Sequence, residues 1–200
     1  MSTEIYGDFN DEKQPECEEY LSIRFSPSRL PLKKRWENNG LSADFISEYF
    51  KIFYVSRQEE NGDILNDILL ENLQNSVKYV ANELLENAMK FQAPIIYPTA
   101  ARIFLSLYND KLVFYIKHSI TAQQAESFEI FIKKVLENDP QALYMEAMRE
   151  SAREENAHRS GIGLLSMICD YNAKLGWKFE SIDGVPLVTV TTMVTLENNN

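Results

Sequence analysis

Leu65, Leu69, Leu73, Val77, Val80, Leu84 and Ala88 recur in steps of four and three, a helical period held over six turns. This is the strongest periodic signal in the chain. It predicts a helix that opens after the turn at Asn61-Gly62 and closes near Phe91 and Gln92, ahead of Pro94. Before it, Phe45, Ile46, Tyr49, Phe50 and Phe53 line one side of a shorter helix, residues 43–54, with Ser42 as its cap. Pro27 and Pro31 bias their predecessors away from helix, so SIRFSPSRLPLKKRW reads as an extended lead-in.

The period then changes. RIFLSLYN and KLVFYIKHSI are β-rich runs joined by Asn109-Asp110, the pattern of a hairpin in an antiparallel sheet. Residues 121–157 return to a helical pattern, interrupted at Asn138-Asp139-Pro140, where Asp139 can cap a helix opened by Pro140. Ser160-Gly161-Ile162-Gly163 leads into an apolar helix over residues 164–175. WKFESI, a turn at Asp183-Gly184 and PLVTVTTMVTL close the chain as a second hairpin. Helices before and between antiparallel strands, without βαβ alternation, indicate an α+β fold in one domain.

Composition narrows the function classes. Thirty acidic against 20 basic residues give a formal charge of −10. On average such a chain repels nucleic acid and anionic membrane. Residues 1–20 hold seven acids and one base, which predicts a mobile acidic tail. The longest charge-free run, residues 184–196, is 13 residues, too short for a membrane-spanning helix. No secretion signal is legible at the N-terminus, and the two cysteines, Cys17 and Cys169, form no framework; a reducing compartment, the cytoplasm, fits. Cys169, amid Met167, Ile168 and Tyr171, reads as a buried structural thiol.

Two groups of residues could carry chemistry. Glu83, Asn87 and Lys90, spaced four and three, project from one stripe of the long helix beside its apolar row. An amide oxygen suits Mg²⁺, an ammonium suits phosphate, and a carboxylate can orient or deprotonate a nucleophile. The same spacing also describes an ordinary polar border with local pairing. In Ser160-Gly161-Ile162-Gly163-Leu164, glycines ahead of a helix let backbone N–H groups approach an anion, or make a tight turn into a buried helix. No Walker A or G-x-G-x-x-G pattern occurs, nor a G-x-S-x-G, H-R-D or D-F-G motif. His118 and His158 lie 40 residues apart and lack zinc-site spacing.

The order of these pieces resembles a known family. Residues 82–91, Asn-Glu-Leu-Leu-Glu-Asn-Ala-Met-Lys-Phe, look like the N-box of the GHKL ATP-binding fold shared by histidine kinases, anti-sigma serine kinases, gyrase B and a major heat-shock chaperone. Residues 160–168 are similar to its second glycine box, and VTVTTMVTL to its last strand. More closely, RFSPSRLPLKKRWENNGLSADF, the N-box and AKLGWKFE look like cyanobacterial ATP-binding regulators related to SiaB-type kinases. The resemblance implies an antiparallel or mixed sheet covered by helices on one side. It implies a mobile tail (1–20), an N-terminal extension packed on the domain (21–61), a nucleotide-binding domain (62–196) with a lid (121–159), and a short tail (197–200).

Residue by residue, the resemblance makes Glu83 the catalytic carboxylate, a general base or a water-orienting group, Asn87 the Mg²⁺ ligand and Lys90 a phosphate partner. Ser160, Gly161, Ile162, Gly163 and Leu164 would border the phosphates, and Thr191 or Thr192 would lie near the adenine. The chain departs from the family at the first glycine box: Asp-x-Gly-x-Gly is replaced by residues 115–121, Tyr-Ile-Lys-His-Ser-Ile-Thr, leaving His118 or Ser119 to accept the adenine amine. The implied function is a nucleotide-binding regulator with ATP or ADP and Mg²⁺, a serine/threonine kinase or anti-sigma-like factor acting on a small STAS-like or SiaC-like partner. The alternative is a non-catalytic module holding FAD, another adenine-bearing cofactor, or no ligand. Neither a nucleic-acid nor a membrane partner is expected, and a homodimer stays open.

Overall fold

The alternating runs at both ends of the chain come together in one antiparallel sheet of six strands, order β1-β5-β6-β4-β3-β2. The strands are β1 (Ser2–Gly7), β2 (Glu19–Phe25), β3 (Ala101–Leu107), β4 (Lys111–Thr121), β5 (Lys174–Ser181) and β6 (Leu187–Glu197). The helices are α1 (Leu32–Asn61), α2 (Asp67–Phe91), α3 (Ala122–Glu137), α4 (Pro140–Arg153) and α5 (Ile162–Tyr171). The computed structural model describes residues 2–10, 19–25, 32–62, 66–93, 100–153, 161–181 and 184–197. The chain divides into a sheet unit, Met1–Pro27 with Phe91–Asn200, and a helical unit, Ser28–Lys90.

In the helical unit α1 and α2 run antiparallel. Asn39 Nδ2 donates to Met89 Sδ at 3.5 Å, Lys78 pairs with Asp44, and Gln74 Nε2 donates to Glu48 Oε1 at 2.7 Å, so the partners descend one helix as they climb the other. α2 carries the long apolar period from Leu69 to Ala88 and opens where Asn66 Oδ1 accepts from Leu69 N at 3.1 Å. α1 corrects the shorter helix expected over 43–54: it spans 30 residues, and Ser42 is an interior position. A proline biases only its predecessor, so Pro31 leaves the helix-forming Lys33-Lys34-Arg35 run free to join.

In the sheet unit, register sorts the side chains onto two faces. Trp177, Thr192, Ile116 and Ile103 lie in one cross-strand row, with Phe179, Val190 and His118 in the next. All seven are buried. α3 lies on this apolar face, its Phe128 ring edge-on to Trp177 at 6.4 Å and near Phe179 at 5.9 Å. Thr121 caps α3 through a reciprocal pair with Gln124. Within the segment expected as a lid, α3 buries Ala125, Ile132 and Val135 and α4 buries none of its residues; residues 154–159 lie outside the described residues.

The opposite face carries Met193, Tyr115 and Phe104 in one row, capped at the β1 end by Phe9, whose ring meets Tyr115 edge-on at 6.4 Å. Phe9 continues directly from β1, which corrects part of the expected mobile tail: Ser2–Gly7 pairs with β5 from Ser2↔Ser181 to Gly7↔Gly176. Residues 11–18 of that tail lie outside the described residues. A side chain at Gly176 would fall on the backbone of Phe9, so the crossing requires glycine there.

α5 ends four residues short of the expectation. Asn172 adopts the left-handed conformation at φ 50°, and its N–H returns to Met167 O, releasing Leu175 into β5. Cys169 on α5 is a free thiol, half-buried where full burial was expected. No described helix is long and apolar enough to cross a membrane.

Candidate functional site

The helical period that forms α2 also sets Glu83, Asn87 and Lys90 along one stripe, beside buried Val80, Leu84 and Ala88. Glu83 and Asn87 are half-buried, and Lys90 is exposed in the last turn. Burial pushes the Glu83 carboxyl above the ordinary carboxylate range, and neighbouring Glu86 pushes the same way. Lys90 pulls it back. The stripe therefore offers a carboxyl held closer to neutral pH, an amide and an ammonium, the ammonium at the negative end of the helix dipole.

The remaining candidates belong to the sheet unit. Alternation sends His118 and Thr192 to the apolar face and Ser119 and Thr191 to the opposite face. The register splits the two pairs proposed for an adenine, His118 with Thr192 on one face and Ser119 with Thr191 on the other, each a diagonal pair across β4 and β6. His118 is buried, its Nδ1 has no hydrogen-bond partner, and burial holds its pKa down at about 4. The imidazole is thus neutral at pH 7, with an acceptor or donor nitrogen uncommitted. Trp177, directly opposite Thr192, also buries its indole N–H without a partner. Buried polar groups are nearly always satisfied, so these two nitrogens on one face have room in their hydrogen bonding for a further polar partner. Trp177 is not legible as a site residue in the sequence, because pairing it with Thr192 needs the β5–β6 register, which no local pattern supplies. On the other face, Ser119 O accepts from Ala93 N at 2.7 Å, and the hydroxyl of fully buried Thr191 has no partner.

Gly161, Ile162, Gly163 and Leu164 stand at the start of α5, and Ser160 lies outside the described residues, as do His158 and Cys17. Gly161 is left-handed at φ 90°, and a Cβ there would sit 2.5 Å from Phe131 Cε2. Turn geometry and the Phe131 ring both demand glycine, which makes the tight-turn reading sufficient for this residue. The N-cap residue of α5 is Gly161, which has no side chain to cap it, and among the described residues no side-chain cap is made there. One further network was not legible: Tyr144 of α4 and Ser166 of α5 both donate to Asp170 Oδ2, at 2.9 and 2.7 Å.

The place of the first glycine box is unbroken strand. Residues 115–121 stay in register with β6 as far as Thr121↔Leu187, and Thr121 then caps α3.

No family model and no curated protein matches the chain. Among solved structures, a chain of the crystal structure of the SiaB–SiaC complex from Pseudomonas aeruginosa aligns with a TM-score of 0.57 and 14% identity. The alignment covers 88% of this chain and 89% of that one. At that identity the likeness is one of fold.

Proposed function

We propose that this chain is a nucleotide-binding signalling regulator of the GHKL type, a cytoplasmic serine/threonine kinase or anti-sigma-like factor that acts on a small STAS-like or SiaC-like protein. The observation that carries the reading is the joint presentation of Glu83, Asn87 and Lys90 on one stripe of α2, with the Glu83 carboxyl raised by burial. The shared fold with a chain of the SiaB–SiaC complex supports it. The partner class rests on that complex and on the resemblance of the motifs.

Each unit, taken by itself, carries groups that suit part of a magnesium nucleotide. Mg²⁺-ATP, when bound, supplies the phosphoryl group for transfer. Asn87 offers its amide oxygen to the metal, and Lys90 sets a positive charge against phosphate oxygens. Glu83, poised nearer neutrality than a free carboxylate, takes the proton of an attacking hydroxyl. His118 Nδ1 fits an exocyclic amine, and the Thr192 hydroxyl shares its face. The uncapped amides at Gly161, Ile162 and Gly163 suit an anion.

Isothermal titration of the full chain with Mg²⁺-ATP tests the reading. Saturable binding, weakened about tenfold or more in Asn87→Ala, is expected; no heat from wild type, or an unchanged affinity in Asn87→Ala, overturns it.

A second reading is favoured by the uninterrupted strand at residues 115–121, which lacks both the Asp and the glycines of the family pattern. In it the same face holds a different adenine-bearing cofactor such as FAD, without turnover. The absorbance spectrum and the mass of any small molecule released from purified protein separate the two: flavin bands favour this reading, and ADP or ATP favours the kinase.

A further inference from the structure

On the face of the sheet opposite α3, register lines up four cations in one cross-strand row. Arg24 of β2 stands opposite Arg102 of β3, and Arg102 opposite Lys117 of β4. Beyond Lys117 comes Thr191 of β6 and then Lys178 of β5. Like charges directly opposite one another in adjacent strands destabilise a sheet. A chain with 30 acids could relieve the row by alternation, yet among the described residues the acid paired with this row is Glu180, 3.1 Å from Lys117 and 3.7 Å from Lys178. Arg24 and Arg102 are exposed, and among the described residues no acid lies within ion-pair reach of either.

The surroundings are those of a recognition surface. Tyr20, 60% exposed, stacks on Phe104 at 5.3 Å, on the same face and two to four residues along from the arginines. Arginine beside an exposed aromatic is the composition of interface hot spots. The Arg24–Arg102–Lys117 part of the row spans two strand spacings, about 10 Å. Extended peptide presents alternate side chains about 6.7 Å apart on one side, so two or three carboxylates cover that length. The long arms of Arg and Lys absorb the remaining mismatch.

We infer that the Arg24–Arg102–Lys117 row is a docking surface for an acidic segment of a partner protein. Charge complementarity selects this occupant. A nucleic acid would run past the short row into the field of a chain carrying −10, whereas a short carboxylate-rich segment ends where the row ends. The inference is independent of nucleotide binding, since it uses none of the α2, His118 or α5 groups.

Fluorescence anisotropy of a labelled peptide of alternating Glu and Ser against the full chain tests it. Saturable binding at low salt is expected, falling about tenfold at about 0.3 M salt. Arg24→Gln with Arg102→Gln should weaken binding about tenfold, whereas Arg24→Lys with Arg102→Lys should hold it within about threefold. The Gln pair should also leave the thermal midpoint unchanged or raised, because like-charge repulsion is removed. Absence of saturable binding, equal affinity in the Gln pair, tighter binding of a single-stranded oligonucleotide than of the peptide, or concentration-dependent self-association that the Gln pair abolishes, each overturns the proposal.

Discussion

The backbone of Phe9 occupies the space that a side chain at Gly176 would need. The two residues lie 167 positions apart, and their approach carries the chain off β1 and onto the Tyr115–Met193 face. Gly176→Ala must push Phe9 away or bend β5, a strain of about 1–3 kcal/mol. A fall of several degrees in the thermal midpoint is expected, with faster amide exchange in β1. An unchanged midpoint would show that Phe9 yields freely.

His118 links stability to pH. Its pKa is about 4 in the folded chain against 6.5 for an ordinary imidazole. The unfolded chain therefore binds the extra proton between those values, and stability rises with pH across that window. The contribution is complete above about pH 6.5, is lost as pH falls toward 4, and amounts to on the order of 3 kcal/mol. Urea denaturation of wild type and His118→Leu at pH 7 and at pH 5 should show a steep loss only in wild type. Parallel losses in both proteins would place the acid sensitivity in other groups.

Glu83 and Asn87 should separate by phenotype. With Glu83 as proton acceptor and Asn87 as metal ligand, Glu83→Gln keeps nucleotide affinity within about threefold while phosphoryl transfer falls about a hundredfold or more. Asn87→Ala loses affinity itself. Titration calorimetry beside a radiolabel transfer assay reads both; retention of transfer by Glu83→Gln removes the carboxylate from the chemistry.

Tyr144 and Ser166 share one oxygen of Asp170, a link between α4 and α5. α4 buries none of its own residues, and this hydroxyl joins the Lys134–Glu146 ion pair in tying it to neighbouring helices. Tyr144→Phe should cost about 1 kcal/mol or less globally. Amide exchange in α4 should nevertheless accelerate about three- to tenfold, with β4 and β6 unchanged. Equal exchange in α4 of both proteins would show that packing on α5 alone holds the helix.

Much of this architecture was legible because it is written locally. The stripe on α2, both hairpins and the break at Asp139-Pro140 each rest on periodicity or turn chemistry within a few residues. Three features were not. α1 begins at Leu32 because Pro31 restricts its predecessor and leaves its successors free to turn helical. β1 and β2 were invisible as sheet strands because each pairs with a segment far along the chain, and an acidic run without its partner looks like a tail. The assignment of His118 with Thr192, and of the Arg24, Arg102 and Lys117 row, depends on inter-strand register, which alternation within a strand leaves undetermined. The placement of Glu83, Asn87 and Lys90 on one stripe of α2 was readable for the same reason as the helix itself: one period sets both.

The two outermost strands, β1 and β2, both lie within residues 1–25, while their neighbours β5 and β3 begin at Lys174 and Ala101. During synthesis these segments leave the ribosome before their partners and must wait, Ser2–Gly7 until β5 has emerged. Until then Ser2–Gly7 offers an open backbone to any other extended chain nearby. Loss of that strand would leave β5 as a permanently open edge.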